Sequence, residues 1–179
     1  AFPISAMSGA QAEKLRGDGI DVPDDLEFSN HMLSKLEITT HIGTHIDAPL
    51  HMLEGSWAID DIPLDYLVKA GRIVPLDIEP GGMVTAESIE SSGVEIDPSV
   101  IPILYTGWTE KMWGTPAFWR NTVYMHKDAA ELIASKGVTA VAIDFFPEFP
   151  FWRSDIQRPE GQPPGHNHKI LLRQNTIII

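Results

Sequence analysis

Three imidazoles and a carboxylate are packed into one short run, His41-Ile42-Gly43-Thr44-His45-Ile46-Asp47-Ala48-Pro49-Leu50-His51. Imidazole with carboxylate suits Zn²⁺ or Mn²⁺ better than Ca²⁺ or copper. A divalent ion with an open coordination position generates hydroxide from water near neutral pH. A neighbouring imidazole titrates in the same range and can carry the proton. The chemistry predicted from this run is therefore metal-dependent hydrolysis. The bland counterpart is a set of ordinary surface or core histidines. Three imidazoles and an acid gathered on one face are hard to bury, however, unless a cation sits among them. Spacing alone leaves open whether that metal would be catalytic or structural.

The element that carries these groups is predicted to be extended. In a helix His41 and His45 would share a face while Asp47 pointed away, and Gly43 and Pro49 both oppose helix. In an extended chain His41, His45, Asp47 and His51 share parity, which places Ile42, Ile46 and Leu50 on the opposite side. Four residues of ideal strand span about 13 Å, too far for two imidazoles to meet one ion comfortably. A bend is therefore predicted between them, at Gly43.

Around this run, Leu36 to Thr40 reads as a strand leading into it. Residues 8–35 read as a short helix followed by a polar loop that includes His31. Further strands are predicted over Arg72–Ile78, with Pro75 marking an edge or bulge, over Val100–Thr106 and over Val138–Asp144. One or two helical turns are expected from Pro63 to Ala70, closed by Gly71. Thr85 opens a short helix that ends by Gly93, and Lys127–Ser135 forms an amphipathic helix capped by Gly137. A long Pro-rich aromatic loop follows from Phe145 to Gly165, and at least one more strand lies within Ile170–Ile179. The predicted class is α/β, richer in strand than in helix.

Composition narrows the function classes. The chain has 179 residues with 43% hydrophobic, the size and make-up of a single globular domain. It contains no cysteine, which removes disulfides, thiolate metal sites and a thiol nucleophile. The net charge of −12 argues against nucleic-acid partners. No apolar run is long enough to span a bilayer. A cytoplasmic protein acting on a small molecule, without nucleic-acid or membrane partners, is expected.

The run His41–His51 resembles the H-x-G-T-H-x-D-x-P-x-H signature of the cyclase-type metal hydrolases, which include kynurenine formamidases and isatin hydrolases. The similarity continues through Leu104-Tyr105-Thr106-Gly107-Trp108, Trp113-Gly114-Thr115, the helix around Ala129–Leu132, Gly137–Asp144 and His168-Lys169-Ile170-Leu171-Leu172. The resemblance implies a swivelling β/β/α fold, strand-rich with few helices, assembled as a homodimer or homotetramer. It implies hydrolysis of a small amide, formamide, lactam or ester, with one or two Zn or Mn ions per site. By the same resemblance His41, His45 and Asp47 hold a first metal, Asp47 bridges to a second, His168 serves that second site, and His51 transfers the proton. The family's further glutamate ligand would fall at the position after Ile179. The chain is accordingly read as one cyclase-like domain over residues 1–179, lacking the family's N-terminal strand and C-terminal end.

Several residues carry two readings. His166 competes with His168 as the late ligand; otherwise it reads, like His126, as a polar surface residue, while His31 falls in an acidic loop. Asp144 closes a strand, where it either serves the site or caps a turn. Trp108 either packs the core or lines the substrate pocket. The aromatics of residues 145–153, among them Phe149 and Trp152, cover either an aromatic substrate or an oligomer contact. Arg153 and Arg158 either pair a substrate carboxylate or face solvent. The competing function is a non-catalytic, metal-stabilised binding or interaction protein on the same fold. A cupin-like barrel also clusters histidines with a carboxylate, but has no place for the T-G-W and late-histidine elements.

Overall fold

The computed structural model describes residues 4–6, 9–22, 32–34 and 37–179. The chain divides into two compact units, Ala1–Gly43 and Thr44–Ile179. In the first unit, strand β1 (Ile4–Ala6) pairs antiparallel with β2 (Met32–Ser34), Ile4 facing Ser34, and helix α1 (Gly9–Gly17) lies between them in sequence. The expected loop histidine, His31, and the first residue of the expected strand, Leu36, lie outside the described residues.

In the second unit, strands are interleaved with helices, and the paired strands run parallel. The order along the chain is β3 (Ala70–Pro75), β4 (Met83–Val84), α2 (Ala86–Ser91), β5 (Val100–Tyr105), α3 (Trp108–Met112), α4 (Ala117–Arg120) and β6 (Tyr124–Met125). It continues with α5 (Lys127–Ser135), β7 (Ala140–Ile143), α6 (His166–Arg173) and β8 (Ile177–Ile178). One sheet has the order β3-β5-β7-β8, and β4 pairs with β6 in a second, parallel ladder. Strand β5 is apolar from Val100 to Leu104, as an inner strand of a parallel sheet buried on both faces requires, while Tyr105 at its end is exposed. Strand β3 is an edge, and Pro75 ends it there, where a missing N–H costs no ladder bond.

The core gathers Val74, Leu104, Met125, Val141, Leu171 and Leu172 from these strands and helices. Helix α5 turns Ala129, Ala130 and Ile133 into it, and Gly137 (φ 67°) supplies the left-handed residue that stops the helix. Thr85 caps α2, its Oγ1 accepting from Ser88 N at 3.2 Å, as the sequence predicts. Among the described residues no helix is long and apolar enough to cross a membrane.

Three local expectations are corrected. Residues 37–40 form no strand. The motif bends over residues 40–44, as expected at Gly43, but its later part is not strand, since Pro49–His51 form a turn of 3₁₀ helix. Gly43 takes a left-handed φ of 64° and buried Pro49 starts the 3₁₀ turn, so strand parity is lost twice. As a result Ile42, Ile46 and Leu50, expected on an apolar face, are 56%, 36% and 47% exposed. Gly71 does not close a helix but lies inside β3, close against Ile103 of β5. The strand expected within Ile170–Ile179 is present as Ile177–Ile178, and the residues before it belong to α6, a helix that the sequence reading does not contain. The buried residues Asn167, His168, Leu171 and Leu172 recur at helical spacing, a pattern that a short apolar run does not distinguish from a strand.

Candidate metal centre

Asp47 is positioned by its backbone. It forms an isolated antiparallel bridge with Ile178, its N–H donating to the Ile178 carbonyl at 2.9 Å. Strand β8 thus pairs with β7 along one edge and seats Asp47 on the other, leaving the side chain only slightly exposed. The carboxylate lies between two imidazoles. His45 Nε2 stands 3.5 Å from Oδ1 and His168 Nε2 stands 3.4 Å from Oδ2. His51 sits on the 3₁₀ turn, its N–H bonded to the Ala48 carbonyl, and its ring meets the His168 ring edge-on at 5.6 Å.

His168 reaches this place on the first turn of α6. The helix starts at Gly165, whose φ of 70° reverses the chain after the Pro-rich loop. An added Cβ there would run into Met52 Cε, so glycine permits the close approach of α6 to the segment after His51. Behind His168 lies Glu148. Its Oε1 accepts from the His168 backbone N–H at 2.9 Å and lies 2.8 Å from Nδ1. Burial disfavours the charged imidazole, but the hydrogen bonds and charges of Asp47 and Glu148 outweigh it and raise the His168 pKa to about 9. The two carboxylates have made a place for positive charge.

The donor set fits a small divalent ion. Two ligands bound at 2.0–2.1 Å around a tetrahedral ion lie roughly 3.3 Å from each other. The separations of 3.4 and 3.5 Å match that figure and exceed ordinary hydrogen-bond lengths. Glu148 on the far nitrogen of His168 has the place of the outer carboxylate that commonly orients a metal-binding imidazole.

The second unit therefore brings together His45, Asp47, His51 and His168. His41 belongs to the first unit, exposed on the run of bends, with its backbone nitrogen 3.4 Å from Thr39 Oγ1. His166 opens α6, half-buried, and it is the His168 ring that meets Asp47. His126 Nδ1 lies at ion-pair distance, 2.8 Å, from Asp128 Oδ1, an oxygen that accepts a hydrogen bond from Ala86 N. Asp144 Oδ1 accepts from Thr106 N and Oγ1 at 2.9 and 2.8 Å, stitching the end of β7 to the turn that follows β5.

The expected substrate-contacting aromatics are spread out. Trp108 is 4% exposed and stacked on Phe118 in the core. Phe149, next to Glu148, is buried against Tyr124 with the Arg158 guanidinium 5.5 Å from its ring. Trp152 donates from Nε1 to the Trp119 carbonyl and, with Trp119, Arg120 and Arg153, lines an open cleft. Arg153 itself is tied to Asp155 at 2.6 Å.

Glu148, Asn167 and Gln162 were not singled out by sequence reasoning. Asn167 Nδ2 donates to the carbonyls of Met125 and Pro147, and Gln162 Nε2 donates to the Met125 carbonyl, which together pin the Pro-rich loop under α6. The one signal available was a lone acid between two prolines in an otherwise aromatic stretch, Pro147-Glu148-Phe149-Pro150.

The Cyclase family model matches residues 4–147. The kynurenine formamidase of Bordetella petrii is 25% identical over 147 residues, covering 82% of this chain and 63% of that protein. A solved structure described as a potential metal-dependent hydrolase with cyclase activity superposes with a TM-score of 0.61 at 28% identity, covering 81% of this chain and 64% of the other. An isatin hydrolase bound to its product analogue thioisatinate gives the same TM-score, 0.61, at 22% identity, with 83% and 62% covered, and speaks for the fold alone. The chain spans less than two thirds of the length of each of these relatives. Its α/β architecture with parallel sheets is that of the cyclase-family hydrolases.

Proposed function

The chain belongs to the Cyclase family, and on that premise we propose that it is a metal-dependent hydrolase. The bond cleaved is the C–N bond of an amide, formamide or lactam, or an ester bond, in a small aromatic or cyclic substrate. The observation that carries this reading is the Asp47 carboxylate set between the Nε2 atoms of His45 and His168 at metal-ligand spacing. His45, Asp47 and His168 hold the cation, zinc or manganese, and the motif adds His41. When bound, such an ion supplies an acidified water and polarises the scissile carbonyl.

The chain's own residues do the rest. His51, beside the His168 ring and exposed, takes a proton from the attacking water and returns it to the leaving nitrogen or oxygen. Glu148 and the backbone bridge to Ile178 hold the ligands still meanwhile. Of the expected aromatics, Trp152 on the open cleft with Trp119 keeps surface for an aromatic substrate, whereas Phe149 is buried against Tyr124. Trp108 offers a buried indole N–H that has no partner among the described residues.

The test is zinc- and manganese-loaded protein assayed against a panel of aryl formamides, lactams and esters, alongside His51→Ala. The variant is expected to keep its metal content and lose activity by roughly 10²–10⁴-fold, the usual worth of a positioned acid–base group. Full activity in His51→Ala would remove that role. Tight metal with no turnover across the panel would instead favour a metal-stabilised binding protein.

A further inference from the structure

Glu148 sits where a carboxylate is costly. It is 8% exposed, between Pro147 and Phe149 in sequence, and Phe145, Phe149 and Pro150 around it in the chain are also buried. A buried charge persists only when its partners compensate it. Oε1 has two such partners, both from His168, while Oε2 is buried with none among the described residues. All of the hydrogen bonding recorded for this side chain is thus spent on one residue, and the same oxygen serves both contacts.

The two contacts do different things. The bond from the His168 backbone N–H satisfies one of the unpaired donors of the first turn of α6 and places negative charge at the positive end of that helix. The contact to Nδ1 requires a proton on that nitrogen, because a carboxylate only accepts. A proton on Nδ1 leaves Nε2 to face Asp47, 3.4 Å away. One oxygen therefore fixes the height of His168 along the helix end and also the rotation of its ring.

We propose that Glu148 is a positioning residue that locks His168 in the orientation presenting Nε2 to the Asp47 side of the centre. This extends the metal-hydrolase reading, in which His168 is a ligand. Phe145-Phe146-Pro147-Glu148-Phe149-Pro150 is then more than a cover over the site. Its aromatics and prolines form the dry wall in which a single carboxylate can direct an imidazole. Asn167, one residue before His168, reinforces the geometry by donating to the Pro147 carbonyl at 2.8 Å, which ties the backbone next to Glu148 to the same helical turn.

The experiment compares wild type, Glu148→Ala, Glu148→Gln and His168→Ala by two readouts. The first is proton–nitrogen NMR of the metal-free protein, following the His168 Nδ1–H. The second is Zn²⁺ affinity by competition with a chelator. Wild type is expected to show a downfield, slowly exchanging Nδ1–H. Glu148→Ala should lose that signal and bind zinc roughly 10–100-fold more weakly, the usual effect of removing an outer partner of a ligand. Glu148→Gln, which keeps a carbonyl acceptor, should retain the signal and lose less affinity. A role limited to capping α6 would lower thermal stability while leaving the signal and the affinity in place.

The proposal is overturned if Glu148→Ala binds zinc within twofold of wild type while His168→Ala does not. It is also overturned if wild type lacks the protected Nδ1–H. Should Glu148→Ala fail to fold, wild type against Glu148→Gln decides by the same NMR signal. Absence of zinc binding by wild type would sink the metal reading, whereas the metal-free NMR signal would still judge Glu148.

Discussion

His168 and Asp47 owe their usefulness to what surrounds them more than to their own chemistry. Asp47 presents one oxygen to each of two imidazoles, so an exchange of one oxygen for NH₂ disturbs one side of the centre only. Asp47→Asn is expected to weaken zinc binding by more than about tenfold, equivalent to about 1.4 kcal/mol. Its backbone bridge to Ile178 does not involve the side chain, so the melting temperature of the metal-free protein should barely move. Calorimetric titration and a thermal melt check both halves, and a large loss of stability would show that the carboxylate is structural. At this scale the sequence was most readable for residues that announce themselves by type and spacing, such as His45, Asp47 and His51. Glu148 and Asn167 were not legible, because each works through a partner about twenty residues or more away and neither belongs to a periodic pattern.

The elements show where pattern reasoning succeeds and fails. Helix α5 is legible from its helical apolar period and the stop at Gly137, and strands β5 and β7 from short, continuous, β-branched apolar runs. The motif segment is legible at Gly43, where the predicted bend occurs, but not at Pro49, whose 3₁₀ turn breaks the alternation read as strand. Helix α6 was hidden for a different reason: its start is set by Gly165 and by hydrogen bonds from distant loops, not by a cap in its own sequence. That makes Gly165 a sensitive point. Gly165→Ala places a side chain at φ 70° and against Met52 Cε, and should cost about 1–2 kcal/mol from the left-handed backbone alone. A urea melt measures it. Adding Met52→Ala relieves the steric part only, so full recovery in the double variant would mean that the backbone was never strained.

At the scale of the whole molecule, the candidate centre draws on residues far apart in the chain. Asp47 is fixed by β8, His168 by α6, and Glu148 by the loop after β7. A ligand that binds only the folded form stabilises it by about 2.7 kcal/mol at a hundredfold excess over its dissociation constant. At about 2–4 °C per kcal/mol for a chain of this size, zinc should raise the melting temperature by roughly 5–10 °C. A chelator should reverse the rise. Zinc that binds without moving the melt would be held equally well by the unfolded chain, and so not by a site that the fold assembles.

The bridge between Asp47 and Ile178 has a consequence for synthesis. A ribosome delivers His45 and Asp47 early, while the strand that seats Asp47 and the helix that carries His168 are still to be made. For that interval the nascent chain exposes a histidine-rich segment that has no fixed geometry and therefore little selectivity among metals. On the metal-hydrolase reading, a centre of fixed geometry exists only once α6 and β8 have docked, so ion selection would follow that step of folding. A chain stopped before residue 166 would keep every letter of the motif and still lack the means to choose its metal.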